Sequence, residues 1–139
     1  RRRGLGNIMF KPYQPREQLS LSLSVPDVHL ISLQPALEGL IVPSKFYGIA
    51  AAGRPTIYVG DREGEIPKIL RETGSGCTVS VGDSAELGNR ILDMFRNNNE
   101  TLSMGLRARM AFDRHFDQRH AFTAWELLLQ PANAFSLNT

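Results

Sequence analysis

Apolar and polar positions along this chain switch repeatedly between a strand-like and a helical period. Val28 to Leu33 is a run broken only by His29 and Ser32, the pattern of a strand buried on both faces. Thr56 to Val59 and Cys77 to Val81 also read as strands. Between them lie two helical segments. One runs from about Pro43 to Ala52, is capped by Gly53 and cannot continue past Pro55; the other runs from Glu65 to Thr73 and closes on Gly74. After the third strand, Asp83 and Glu86 have capping-box spacing and start a helix with Leu87, Ile91, Leu92 and Phe95 on one face. Asn97-Asn98-Asn99 reads as a break. A longer helix then covers about Glu100 to Phe116, and Asp117 caps a last one through Ala121, Trp125 and Leu129, stopped by Pro131. Upstream, Asn7 to Lys11 reads as a short strand ending at Pro12. Pro15 to Ser24 reads as a helix with Leu19, Leu21 and Leu23 partly buried, although its Leu/Ser alternation also suits a strand.

This order predicts an α/β fold: a Rossmann-like parallel sheet of about four strands, right-handed crossovers, helices on both faces and a helical C-terminus. The 139 residues make one domain at most, without internal repeat or low-complexity segment. Residues 132–139 read as a disordered tail. Arg1-Arg2-Arg3-Gly4 reads as the end of a helix, which suggests a fragment of a longer protein.

Composition narrows the function classes. Hydrophobic content of 42%, charged content of 22% and a net charge of +2 are ordinary for a globular chain. The Arg1-Arg2-Arg3 run has no interleaved aromatics, so no nucleic-acid partner is expected. A single cysteine, Cys77, excludes an internal disulfide, offers no ligand spacing and reads as an inert core thiol, which fits a reducing compartment. No apolar run reaches membrane-spanning length, and no signal peptide is expected. His115 and His120 have no carboxylate or thiol at ligand spacing, so no metal is expected.

The candidate chemistry sits in Gln34-Pro35-Ala36-Leu37-Glu38-Gly39-Leu40-Ile41-Val42-Pro43-Ser44-Lys45. An acid, a glycine turn and a helix N-terminus gather just past the carboxyl end of a strand, where open α/β sheets bind ligands. Backbone N–H groups and the helix dipole there suit a phosphate. Each residue also has a plainer reading. Glu38 can be a loop acid or a cap, and Lys45 a solvated first-turn lysine. Asp61, Glu63 and Glu65 read as a charged loop, His29 as a satisfied core histidine, and Phe122, Trp125, Met94, Met104 and Met110 as packing residues.

Glu38-Gly39-Leu40-Ile41-Val42-Pro43-Ser44-Lys45, Ala50-Ala51-Ala52-Gly53-Arg54-Pro55, Gly74-Ser75-Gly76, the Val81-Gly82-Asp83 cap and Met104-Gly105-Leu106-Arg107-Ala108-Arg109 follow one another in an order that resembles the C-terminal, donor-binding domain of GT-B glycosyltransferases of the family 4 type. The resemblance covers roughly Asn7 to Leu129. It implies transfer of a glycosyl group from a sugar nucleotide, without metal or other cofactor, to a glycan or lipid-linked acceptor in bacterial polysaccharide synthesis. Its setting would be the cytoplasm, at or near the inner membrane face. It implies that Glu38 accepts hydrogen bonds from the transferred sugar, that the N–H groups of Gly39, Leu40 and Ile41 face the diphosphate, and that Lys45 reaches a phosphate or ribose oxygen. Glu38→Ala is then expected to weaken sugar-nucleotide binding with little effect on melting temperature.

Two departures from the family pattern matter. A second Glu, five residues before the terminal Gly of the helix, is replaced by Gly48, which leaves the ribose to Ser44 or Lys45. The opening strand–helix–strand unit and the N-terminal acceptor domain have no counterpart before Asn7. The chain is therefore expected to be the larger part of a donor domain, inactive by itself, with a free sheet edge able to form a homodimer. Base, sugar and acceptor stay open. A non-catalytic nucleotide-binding or interaction module and a fragment of a GT-B sugar-nucleotide epimerase remain as alternatives. A flavodoxin-like receiver is disfavoured, because Asp27 precedes its strand instead of following it.

Overall fold

The computed structural model describes residues 5–129. The helix end expected at residues 1–4, the stop at Pro131 and the tail expected at 132–139 lie outside them. Three strands, β1 (His29–Ser32), β2 (Thr56–Val59) and β3 (Gly76–Val79), form one parallel sheet in the order β1-β2-β3. Ile31 lies opposite Tyr58, and Tyr58 opposite Thr78. Helices α1 (Leu19–Ser24), α2 (Lys45–Ala51) and α3 (Glu65–Thr73) alternate with the strands. After β3 come α4 (Ser84–Arg96), α5 (Asn98–Ala111), a π-helical turn at Phe112–Phe116 and α6 (Gln118–Leu129).

The sheet separates two cores, as period-2 alternation requires. Ile31, Leu33 and Tyr58 face Leu23, Phe46, Ile49, Ile66 and Leu70 from α1, α2 and α3. Ile57 and Val79 face Met94 of α4, with Leu87 and Met104 packed alongside. The end of α2 is fixed by a Schellman motif. Gly53 takes φ +67°, its N–H donates to Ala50 O at 3.0 Å, and Arg54 N–H donates to Ile49 O at 3.2 Å. The α5 segment ties down two helix ends. Arg107 Nε donates to Gly74 O and Arg109 Nη1 to Ala51 O, both at 2.7 Å, which places cations at the negative ends of α3 and α2.

Several expectations change. Asn7–Lys11 joins no sheet, so the sheet has three strands among the described residues instead of about four; Ile8, Met9 and Phe10 are exposed. Without an aligned edge such a segment gains no ladder hydrogen bonds. The helical reading of residues 15–24 holds, as a 3-10 turn at Arg16–Gln18 followed by α1. Leu21 lies two positions from Leu23 and so on another face of the helix; it is exposed, as is Leu19 at the first position of α1, whereas Leu23 is buried.

Asp83 caps α4 by accepting from Glu86 N at 2.9 Å, but the Glu86 carboxylate turns to Arg62 and Arg90, so the box is half-formed. Met94 is the residue of α4 that is buried, while Ile91, Leu92 and Phe95 stay exposed. Ile91 and Phe95 line a cavity with Val28 and Ile57, Leu30 is 55% exposed, and among the described residues the outer edge of β1 is unpaired. The asparagine break shrinks to Asn97, and the long helix passes into the π turn after Ala111. Asp117 caps α6 by accepting from Arg119 N at 2.9 Å, and the Arg119 side chain and amide together hold its carboxyl down at about 2. Phe122 and Trp125 are exposed on α6 rather than packed.

His29 is the satisfied core histidine its setting suggests: it is buried, and its Nε2–H donates to Leu23 O at 2.8 Å. Burial, with smaller contributions from the Lys45 and Arg54 charges, lowers its pKa against the opposing effect of the Leu23 bond. The unfolded chain therefore takes up this proton first. The contribution of His29 to stability is full above pH about 6.5 and is lost as pH falls through the lower folded value. Urea midpoints of the chain should fall more steeply between pH 7.5 and 5.5 than those of His29→Gln. Parallel slopes would show that the imidazole is not coupled to folding.

Candidate functional site

The site forms where the chain leaves β1. Leu33 N–H makes the last ladder bond, to Val59 O at 3.0 Å. Pro35–Leu37 then turns the chain in one 3-10 step, and Gly39 takes φ +77°. In this turn Leu40 N–H and Ile41 N–H both donate to Leu37 O, at 3.1 and 3.2 Å. Two of the three expected phosphate-facing amides are thus engaged within the loop. Leu40 and Ile41 themselves are exposed.

The turn carries Glu38 over the carboxyl end of β2. Its Oε2 accepts from the Tyr58 hydroxyl at 3.0 Å, and its Oε1 accepts from Glu65 N, the first amide of α3, at 3.2 Å. The carboxylate therefore sits at the positive end of α3, where it supplies the cap that Gly64 cannot. It also explains the glycine there. A Cβ on Gly64 would lie 2.3 Å from Glu38 Oε1 and 2.7 Å from Oε2. Tyr58 is wholly buried, and burial first, then its bond to Glu38 and the charges of Glu38 and Asp61, push its hydroxyl well above the usual tyrosine range. It stays a proton donor at any working pH.

Ser44 and Lys45 open α2 across the loop, and both are exposed. Ser44 occupies the cap position but its hydroxyl caps nothing, and no acid stands in the first turn. A lysine at the positive end of a helix does not help that helix, so Lys45 is not explained by helix stability. Gly48 lies on another face. A Cβ there would come within 3.0 Å of Leu23 Cδ1, so α1 occupies the space a longer side chain would need. Past β2, Asp61 Oδ1 accepts from Glu63 N at 3.0 Å, an ordinary loop bond, and Arg62 is engaged by Ser80 and Glu86. The mouth of the sheet thus carries Glu38, Asp61, Glu63 and Glu65, with Lys45 as a cation left without an acidic partner at salt-bridge distance among the described residues.

Beside it, a groove of about 710 Å³ runs between α3 and α5, lined by Glu65, Lys68, Arg107, Arg114 and Phe116 among others. Glu65 belongs to both the groove and the Glu38 cradle. Tyr47 touches two of the lining residues: its ring lies 5.3 Å from that of Phe116, and its hydroxyl donates to Glu65 Oε1 at 3.5 Å. Among the described residues no group of three metal-ligating side chains converges, and no helix is long and apolar enough to cross a membrane.

Over 79 residues the chain is 35% identical to a protein of Pseudomonas aeruginosa described as "Probable glycosyltransferase WbjE". The match takes in 57% of this chain but 20% of that relative, so the chain spans a small part of the protein it resembles. No family model matches the chain. No solved structure matches it either. The match supports a relationship to glycosyltransferases in general.

Against that relationship, the expected residues fall into two groups. Glu38, Gly39, Ser44 and Lys45 lie around one loop at the carboxyl ends of β1 and β2, while Leu40 and Ile41 have their amides turned inward. Tyr58, Gly64 and the Glu65 amide escaped the sequence reading. Tyr58 looks like any β-strand aromatic, and a backbone amide leaves no residue-type signal. Two glycines flanking an acidic loop were the one available hint.

Proposed function

We propose that this chain is the sugar-nucleotide-binding part of a glycosyltransferase. The observation that carries the proposal is Glu38, a carboxylate held at the mouth of a parallel sheet with only part of its accepting capacity used. A carboxylate has about four lone-pair sites; Tyr58 and Glu65 take two. The remainder suits hydroxyls of a hexose better than a phosphate, which the surrounding acids would repel. Lys45 is the group for the diphosphate, together with Gly39 N–H, while Ser44 is placed for ribose. The relationship to a probable glycosyltransferase agrees with this reading. The finer assignment to a GT-B, family 4-like donor half, with an acceptor domain supplied by a longer cytoplasmic parent of polysaccharide synthesis, belongs to the same proposal. So does pairing of two copies through the free edge of β1, which concentration-dependent light scattering tests.

Titration of the chain with UDP, GDP, UDP-glucose and GDP-mannose tests the proposal. Binding of a nucleotide sugar, lost in Lys45→Ala, supports it, and no binding of any of the four contradicts it. One specific observation favours a second reading, a non-catalytic module in which Glu38 is only the cap of α3: both of its oxygens already have donors. That reading predicts a folded chain indifferent to all four compounds.

A further inference from the structure

We propose that Tyr58 is the positioning residue of the site: its hydroxyl, acting with the Glu65 amide, fixes the Glu38 carboxylate so that its unused lone pairs face the donor sugar. This rests on the donor-binding reading above and adds a residue and a mechanism to it.

The geometry is of a kind that packing alone does not require. Tyr58 is fully buried, and phenylalanine would fill the same space in the cluster that holds Ile31 and Leu70. The hydroxyl is what differs, and a buried hydroxyl needs a partner. Its partner comes from a loop twenty residues upstream and sits 3.0 Å away. The second anchor, Glu65 N at 3.2 Å, comes from a different element, and Gly64 removes the one side chain that would displace the carboxylate. Two donors at the two oxygens leave a planar carboxylate little freedom to rotate. An exposed loop acid without them would sample many rotamers and lose entropy on meeting a sugar. The bond to Tyr58 is also charge-assisted, which makes it short and directional.

The test is Tyr58→Phe in the full chain, with affinity for UDP-glucose and GDP-mannose compared with UDP and GDP. The expected result is a loss of about tenfold for the nucleotide sugar that the unmodified chain binds. Affinity for the bare nucleotide should change by less than about twofold, since the nucleotide does not meet Glu38. A purely structural role would weaken both alike. In the Glu38→Ala background the same substitution should add little, because its effect runs through that carboxylate.

Without ligand, the Glu65 amide resonance should move in Tyr58→Phe, as the carboxylate shifts on α3. If Tyr58→Phe does not fold, Gly64→Ala displaces the carboxylate from the other side and should give the same selective loss. Equal losses for sugar and nucleotide, or unchanged affinity for both, overturn the role of Tyr58 while leaving the donor reading intact. Failure of the unmodified chain to bind any of the four compounds overturns the donor reading and this inference with it.

Discussion

Glu38→Ala should lower the stability of the folded chain by about 2 kcal/mol, through two losses that the structure makes explicit. The first amides of α3 lose their cap, worth about 1 kcal/mol. The buried Tyr58 hydroxyl keeps its place but loses its acceptor, which costs a further 1 kcal/mol or so. For a domain of this size the melting temperature should fall by roughly 8 °C. The loop position of Glu38 suggested a nearly unchanged melting temperature, and the two hydrogen bonds reverse that expectation. Glu38→Gln should lie between the wild type and alanine: an amide oxygen satisfies one donor, but its NH2 group then faces the other. Thermal melts of the three proteins, read beside their nucleotide-sugar affinities, separate the cap from the ligand contact. An unchanged melting temperature in Glu38→Ala would mean that the carboxylate is not where the structure puts it.

Gly48→Glu, which would introduce the second carboxylate of the glycosyltransferase pattern that the sequence resembles, should destabilise the chain by about 2 kcal/mol and bring no gain in nucleotide affinity. The Cβ alone comes within 3.0 Å of Leu23 Cδ1, and Leu23 is a core residue. The added carboxylate would also point at α1 instead of the loop around Glu38. Leu23→Ala makes room, so the cost of Gly48→Glu should nearly vanish in that background. Urea denaturation of the four proteins of this double-mutant cycle gives the coupling directly. Additive losses would show that α1 does not fill this space, and the ribose contact would then be open to a side chain at position 48.

Much of the architecture was legible because the chain is punctuated. The apolar strand Thr56–Val59 and the helix Glu65–Thr73 fall where the sequence places them, since Gly53, Pro55 and Gly74 leave the backbone few choices. The failures share one cause. Asn7–Lys11, Leu30 and the Ile91/Phe95 face of α4 have the apolar pattern of buried elements, yet they are exposed. Local pattern reports what a segment can bury; it does not supply the neighbour.

The site was legible in outline only. Glu38 and Lys45 announce themselves by charge beside a glycine turn. The cradle did not, because it is made of a strand tyrosine, a missing Cβ and a main-chain amide brought together over 27 residues. The inward turn of the Leu40 and Ile41 amides was equally hidden, because it depends on the 3-10 geometry of Pro35–Leu37.

The most direct test of the account is a ¹⁵N-resolved NMR titration of the chain with the four nucleotides and nucleotide sugars. Binding at the mouth of the sheet predicts the largest shifts at Gly39, Lys45 and Glu65, with the Glu65 amide moving for the nucleotide sugar and staying still for the bare nucleotide. Shifts centred elsewhere, or a spectrum unchanged at saturating concentrations, would contradict it.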